Sequence, residues 1–209
     1  FKTQFACEVK DFDVSQFLHR KESRKMDLFA QYAIACSDEA LADAGLDGEE
    51  PDVDHDRVGV IWGSGIGGFQ TFMNEALNFH ESGGVPRFSP FFIPMMISDI
   101  AAGHISIRHG FRGPNFCTVS ACASGTNAMI DAFNYIRLGK AEVMVTGGSE
   151  AAITEGGIGG FNALKALSTR NDDPARASRP FDATRDGFVL GEGGGAIILE
   201  EYEHAIARG

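Results

Sequence analysis

The chain has 209 residues, a hydrophobic content of 44% and a formal net charge of −11. Its length and apolar content predict a packed globular fold rather than a disordered chain, and the charge argues against binding to bulk nucleic acid or to an anionic membrane. No apolar run reaches the length that a membrane-spanning helix needs. The four cysteines form no CxxC pair and no cluster with histidine, so they predict no metal site and are more typical of a reducing compartment than of a disulfide framework.

The spacing of apolar residues predicts helices and strands that alternate along the chain. In order, they are a helix over 24–44 ending at Gly45, a strand over 57–62, a helix over 70–80, an ordered loop over 88–94, a helix over 95–109, a strand over 117–121, a helix after Cys122 closing at Gly139, strands over 142–146 and 194–200, and a helix over 202–208. This alternation predicts an α/β layered fold with a mostly parallel sheet. Because the sequence starts without methionine and stops just after a helical stretch, we expect it to be part of a longer protein.

Cys122 is the main candidate for a catalytic residue, because it lies where a predicted strand gives way to a predicted helix. The free N–H groups and the dipole of a helix start favour thiolate, which is the nucleophilic form. Backbone N–H groups at the same corner can also bind an oxyanion. A buried and inert cysteine is the alternative. His104 and His109 are the nearest candidates for a base, but neither has an obvious catalytic partner, so the residues alone leave the reaction open.

Glycine-rich segments give two further candidate sites. Gly63-Ser64-Gly65-Ile66-Gly67-Gly68 follows a strand and matches G-x-G-x-x-G, but the region about 20 residues further on, where a dinucleotide site needs a carboxylate, has none. We therefore interpret this motif as close backbone packing or a loop that lines a pocket. The second run, over 147–150 and 156–161, marks positions where backbones approach closely or where φ is positive, and structural turns beneath a site are the favoured interpretation. The segment over 179–193 is interpreted as a scaffold whose charges pair with one another.

One basic cluster, over residues 19–25, stands out against the acidic background. It is either the solvated start of a helix or a docking surface for an acidic partner, which a basic patch on an acidic protein would select by charge.

The motifs together resemble those of β-ketoacyl-[acyl-carrier-protein] synthases of the thiolase superfamily, and they are closest to the type II synthases. The most specific match is Gly113-Pro114-Asn115 followed by Ser120-Ala121-Cys122-Ala123-Ser124-Gly125. Further matches follow in family order over 63–68, 89–94, 102–104, 166–171, 178–182 and 185–193. The resemblance implies a thiolase-like layered αβαβα fold. Residues 1–209 would be most of its N-terminal half, without the first strand and helix and without the C-terminal half.

The resemblance also implies an acyltransferase that performs a decarboxylative Claisen condensation. Cys122 would accept an acyl group as a thioester, with its own backbone N–H forming half of the oxyanion hole, and malonyl carrier protein would extend that group by two carbons. Ile66 and Phe92 would line the acyl pocket, with Phe92 reaching across a dimer interface. The resemblance implies no cofactor and no metal. The family's two catalytic histidines, its catalytic lysine and a phenylalanine loop would lie in the C-terminal half.

The partners that the resemblance implies are an acyl carrier protein and a second copy of the chain, but no nucleic acid or membrane. The strand leading to Cys122 would pair with its twin across the two-fold axis. The basic positions that would meet the carrier protein are Lys21, Arg24, Lys25, Arg87 and Lys165. The implied location is cytoplasmic and of bacterial type, with a plastid or mitochondrion as the eukaryotic equivalent.

Four alternatives stay open. The first is a ketosynthase of a type II polyketide synthase, which the small residues around Cys122 disfavour. The second is a thiolase that uses coenzyme A, which the basic cluster and the segment over 185–193 disfavour. A non-catalytic partner subunit would lack the cysteine nucleophile. A nucleotide-binding module built on 63–68 would bind NAD saturably in dialysis.

Overall fold

The computed structural model describes residues 1–47 and 53–209. Its helices are α1 (Arg20–Ser23), α2 (Leu28–Asp43), α3 (Phe69–Glu81), α4 (Phe92–Met96), α5 (Ile100–His109), α6 (Ser124–Arg137), α7 (Glu155–Ala163) and α8 (Tyr202–Arg208). Its strands are β1 (Val58–Gly63), β2 (Asn115–Thr118), β3 (Val143–Glu150) and β4 (Gly193–Glu200). No helix of the described ranges combines the length and the apolar character needed to cross a membrane.

The strands form one sheet in the order β2-β1-β3-β4. β1 runs parallel to both β2 and β3, whereas β4 runs antiparallel to β3. Every residue of β1 is buried, as expected for a central parallel strand that is covered on both faces. The sheet is therefore mostly parallel, as predicted, with one antiparallel strand at its edge.

Helices cover both faces of the sheet, so the described residues form three layers. α2 and α5 pack on one face and α6 packs on the other. Successive side chains of a strand point to opposite faces, and Trp62 accordingly joins the core under α2 and α5 while Ile61 joins the core under α6. The predicted α/β layered architecture is confirmed.

Two predicted helices differ from those observed. The segment over 95–109 is divided into α4 and α5, because the backbone at Ile97 is extended. α4 begins at Phe92, inside the segment predicted as a loop. The helix predicted over 24–44 begins only at Leu28, because Asp27 has extended backbone angles and caps it. Its predicted end at Gly45 is confirmed by the left-handed φ of +66° at that residue.

The prediction that the second glycine run forms turns is wrong. Its first part lies in β3 and its second part lies in α7. Glycine is needed at these positions because backbones approach closely inside regular elements. A Cβ atom at Gly147 would lie 2.1 Å from the carbonyl oxygen of Gly195, and one at Gly157 would lie 2.0 Å from that of Ala152.

Asp27 connects the beginnings of two helices. Its side chain is buried and accepts hydrogen bonds from the backbone N–H of Thr71 at 2.8 Å, from the Thr71 hydroxyl at 2.6 Å and from the backbone N–H of Phe29 at 3.4 Å. Burial raises the pKa of Asp27, while the hydrogen bonds from Thr71 oppose that rise. One carboxylate thus caps α2 and fixes the first turn of α3 against it.

We expect Asp27→Ala to lower the free energy of unfolding by roughly 2–3 kcal/mol, because it leaves the buried donors of Thr71 without an acceptor. Urea denaturation followed by the fluorescence of Trp62, the one tryptophan of the chain, measures the change. The matched control is Asp13→Ala, which removes an exposed cap that bonds Ser15. A larger shift of the urea midpoint in the control than in Asp27→Ala would contradict the role of Asp27.

Candidate active site

Cys122 lies exposed in the tight turn between β2 and α6. β2 ends earlier than predicted, and residues 119–123 connect it to the helix. Ala121 has a left-handed φ of +51°, a conformation that is uncommon and strained for a residue with a side chain. Because Ala123 is the N-cap of α6, Cys122 directly precedes a helix start, where N–H groups and the dipole favour negative charge.

Side chains from the first turn of α6 hold this corner in place. The buried hydroxyl of Ser124 donates to the carbonyl oxygen of Ala121 at 2.7 Å and accepts from the N–H of Ser120 at 3.0 Å. The side-chain amide of Asn127 donates to the Ser120 hydroxyl at 2.6 Å. The strained φ of Ala121 is therefore supported by a local hydrogen-bond network. The sequence reasoning missed Asn127, whose only signal is its position one turn after the Ser-Ala-Cys-Ala-Ser motif.

A cavity of about 690 Å³ opens beside Cys122, which is within the size range of small-molecule sites. Its walls are the loop after β1, the corner and start of α6, the end of β3, one residue of α7 and the segment before β4. The lining residues are 63–66, 121–122, 124–126, 129, 148–150, 152, 161, 188–191 and 193. The first glycine run thus lines a pocket, in agreement with its interpretation.

The segment over 179–193 supports this cavity. Phe188 and Leu190 line it. Arg179 forms an ion pair with Asp186 at 3.3 Å, and Asp186 also accepts the Ser168 hydroxyl at 2.7 Å. The Arg179–Asp186 pair agrees with the expected pairing of charges within the segment, whereas Glu192 accepts hydrogen bonds from Val9 and Tyr32 outside it.

Glu150 places a carboxylate in the same cavity. Its Oε2 accepts the N–H of Gly65 at 2.7 Å and that of Ile66 at 3.2 Å, and its Oε1 accepts the Ser64 hydroxyl at 3.3 Å. Burial raises the pKa of Glu150, and these hydrogen bonds oppose the rise. The sequence reasoning missed this residue. The sequence feature that could have identified Glu150 is a lone acidic residue at the end of a glycine-containing strand.

The two histidines considered as bases do not line this cavity. His109 lies 3.0 Å from Asp38, which also pairs with Arg108, so the three residues join the end of α5 to α2. Burial lowers the pKa of His104. In residues 1–47 and 53–209, no histidine, lysine or arginine lines the cavity beside Cys122.

The structure brings one of the two expected acyl-pocket residues to Cys122. Ile66 lines the cavity, whereas Phe92 lies in α4 and stacks on Phe72 and Phe88 with ring centroids 6.5 Å and 5.6 Å apart. The contribution of Phe92 across a dimer interface stays a prediction.

The five basic residues expected to meet a carrier protein are all exposed. Lys21 lies in α1, Arg24 and Lys25 follow it, and the ammonium group of Lys25 lies 5.0 Å from the ring centroid of Phe91. Arg87 lies between α3 and α4. Lys165 lines a second cavity of about 720 Å³, which also contains Phe188 and therefore adjoins the first.

The four thiols differ in accessibility. Cys122 and Cys7 are exposed, whereas Cys36 and Cys117 are half-buried. Burial raises the pKa of Cys36, with a smaller contribution from the charge of Glu39. Burial also raises the pKa of Cys117, and the charges of Asp99 and Glu150 add to this effect.

We therefore expect iodoacetamide near neutral pH to modify Cys122 before Cys36 and Cys117, as measured by peptide mass spectrometry. Raising the pH should accelerate modification of Cys36 and Cys117, because more of each thiol then ionises. Cys7 is the matched control for exposure alone, since it is exposed but does not precede a helix, and it should react more slowly than Cys122. Modification of Cys117 ahead of Cys122 would contradict the assignment of the nucleophile.

Comparison with known proteins identifies the family. Residues 2–205 match the family described as "Beta-ketoacyl synthase, N-terminal domain". The 3-oxoacyl-[acyl-carrier-protein] synthase 2 of Synechocystis sp. is 50% identical over 206 residues, which cover 99% of this chain and 49% of that protein. The synthase 2 of Vibrio harveyi is 51% identical over 210 residues, which cover 100% of this chain and 50% of that protein. The chain thus spans about half the length of the curated relatives that it matches.

Solved structures show the same relationship. A β-ketoacyl synthase from Burkholderia phymatum superposes with a TM-score of 0.88 at 37% identity, covering 99% of this chain and 50% of that one. A ketosynthase of a type II polyketide synthase, solved with its acyl-carrier protein and bound to a hexaketide, superposes with a TM-score of 0.80 at 26% identity, covering 98% of this chain and 56% of that one. The described layers are therefore those of half of a thiolase-like ketosynthase, and the chain belongs to the β-ketoacyl synthase family, whose N-terminal domain it carries.

Proposed function

We propose that this chain is the nucleophile-bearing N-terminal half of a type II 3-oxoacyl-[acyl-carrier-protein] synthase, an acyltransferase that elongates fatty acids by two carbons. The observation that carries this proposal is the exposed Cys122 at a strained strand-to-helix corner beside a cavity of about 690 Å³. Relatives of about 50% identity that are named 3-oxoacyl-[acyl-carrier-protein] synthase 2 support the substrate class. Their bacterial sources support a bacterial-type, cytoplasmic enzyme.

The proposed reaction has two steps at Cys122. The thiolate attacks the carbonyl carbon of an acyl thioester on the carrier protein, the backbone N–H of Cys122 supplies half of the oxyanion hole, and the carrier's thiolate leaves. Malonyl carrier protein then loses carbon dioxide, and its carbanion attacks the acyl carbon on Cys122. The Cys122 thiolate leaves, and the product is a β-ketoacyl carrier protein. Proton transfer would use residues of the C-terminal half.

We also propose a homodimer formed through β2. This strand lies at the edge of the sheet and, in the described residues, pairs with β1 alone. An edge strand presents unpaired backbone groups that can bond a second strand. Large apolar side chains nearby are also exposed, with Val119 at 62%, Ile130 at 51% and Phe133 at 53%. Such a dimer would bury this apolar surface and bring Phe92 of one protomer to the cavity of its partner.

The likeness to a polyketide ketosynthase supports an alternative in which this domain elongates polyketides. That neighbour is 26% identical to this chain, whereas the synthase of Vibrio harveyi is 51% identical. The higher identity favours fatty-acid elongation.

Acylation of the complete synthase to which we assign this chain tests the proposal. Incubation with acyl carrier protein bearing a saturated acyl group should add the mass of that group to the peptide containing Cys122. Addition of malonyl carrier protein should then release a β-ketoacyl product two carbons longer. Cys122→Ala should reduce product formation by about a thousandfold or more, because the covalent intermediate cannot form. Cerulenin, a thiol-directed inhibitor, should label the same residue, and an adduct at Cys7, Cys36 or Cys117 instead would overturn the mechanism.

The acidic carrier protein should dock on the exposed basic residues near α1. We expect the triple variant Lys21→Glu, Arg24→Glu and Lys25→Glu to raise the KM for acyl carrier protein about tenfold with little change in kcat, because charge steers encounter more than chemistry. The effect should weaken as salt is added. Steady-state kinetics with the carrier-free substrate acyl pantetheine is the control, and its KM should not change. Equal losses with both substrates would contradict docking at this surface.

A further inference from the structure

Glu150 is a half-buried carboxylate that the proposed acyl transfer does not use. It ends β3, and three donors from the loop after β1 converge on it. Two of these donors are the successive backbone N–H groups of Gly65 and Ile66, and the third is the hydroxyl of Ser64. An ionised carboxylate offers acceptor sites on both oxygens, which an amide does not. The donors of the loop therefore match the acceptor sites of the Glu150 carboxylate.

The loop is shaped to receive this carboxylate. A Cβ atom at Gly65 would lie 2.9 Å from Oε2 of Glu150, so a side chain at that position would displace the carboxylate from the loop. Ser64 extends the network, since its hydroxyl also accepts the N–H of Gly67 at 3.1 Å. The backbone from residue 64 to residue 67 is therefore connected to one side chain at the end of β3.

The far end of the same loop is held by α4. The N–H of Gly68 donates to the carbonyl oxygen of Met96 at 2.9 Å, and a Cβ atom at Gly68 would lie 2.1 Å from the carbonyl oxygen of Met95. Ile66 is itself bonded to Glu150, and it lines the cavity beside Cys122. Loss of Glu150 would remove the acceptor of the Gly65 and Ile66 N–H groups and would loosen the backbone that carries Ile66.

We propose that Glu150 is a positioning residue that determines which acyl chains the cavity accepts, by holding the backbone of Gly65 and Ile66 in place. This inference rests on the acyl-transfer function proposed above, because it assigns the Ile66 wall to the acyl chain. Glu150 acts through the loop and takes no part in bond making.

The test is Glu150→Gln in the complete synthase, with kcat/KM measured for acyl carrier proteins of increasing chain length. The amide keeps the size of the side chain but turns an NH₂ group toward backbone donors, so the loop loses an acceptor. Selectivity between the preferred chain and one two carbons longer should fall about fivefold, and kcat/KM should fall less for an acetyl group than for the preferred chain. Hydrogen exchange at the amides of Gly65 and Ile66 should become faster.

Glu142→Gln is the matched control. Glu142 precedes the opposite end of β3, where it pairs with Arg57, and its loss should leave the chain-length profile unchanged. If Glu150→Gln does not fold, Glu150→Asp keeps the charge on a shorter side chain and should give an intermediate profile. An unchanged profile, or equal losses at all chain lengths, would overturn the positioning role. Failure of the wild-type enzyme to acylate Cys122 at all would instead overturn the proposed function.

Discussion

The site depends on a direct backbone contact among three glycines. The end of β1 lies against the start of α6 so closely that a Cβ atom at Gly63 would come within 2.4 Å of the backbone nitrogen of Gly125. A Cβ atom at Gly148 would lie 2.9 Å from the carbonyl oxygen of Gly63 and 3.2 Å from the Cα atom of Gly125. Side chains at Gly63 and Gly148 would force the strands and the helix apart, whereas a Cβ atom at Gly125 would meet its nearest neighbour only at 3.8 Å. Because all three backbones meet, the corner of Cys122, the loop of Ile66 and the end of β3 share one cavity.

Two carboxylates fix the position of the segment that connects β1 to α3. Glu150 holds the loop that follows the strand, and Asp27 holds the first turn of the helix that follows the loop. Burial raises the pKa of both, so each carboxylate carries an electrostatic cost that its hydrogen bonds oppose. The same connection supplies one wall of the cavity. Stability of the fold and shape of the site therefore depend on the same small set of buried polar contacts.

Local patterns in the sequence predicted the position of Cys122 and most of the regular elements, because periodicity and glycine stops are encoded by near neighbours. The partners of the carboxylates of Asp27 and Glu150 were not predictable in this way. Glu150 bonds a residue 86 positions away, and Asp27 bonds one 44 positions away. The glycines of β3 and α7 were misinterpreted as turns for a related reason. A glycine is needed wherever a backbone or side chain approaches closely, as at Gly147 against Gly195 and at Gly156 against Met73, and the sequence alone does not distinguish such a glycine from one in a turn.

The cavity is chemically one-sided, and this asymmetry bears on where the rest of the site lies. Within residues 1–47 and 53–209, the cavity is lined by a thiol, a carboxylate, hydroxyls and apolar groups. No basic side chain in these ranges lines it that could stabilise or protonate the enolate oxygen formed when malonyl thioester loses carbon dioxide. Condensation needs such a group within hydrogen-bond reach of the reacting carbonyl. The adjoining β4 leaves Ile197 43% exposed and has open space around Gly195, so this edge of the sheet can accept further protein. In the synthase proposed above, the groups that transfer protons would come from the C-terminal half and would reach Cys122 from the open side of the cavity.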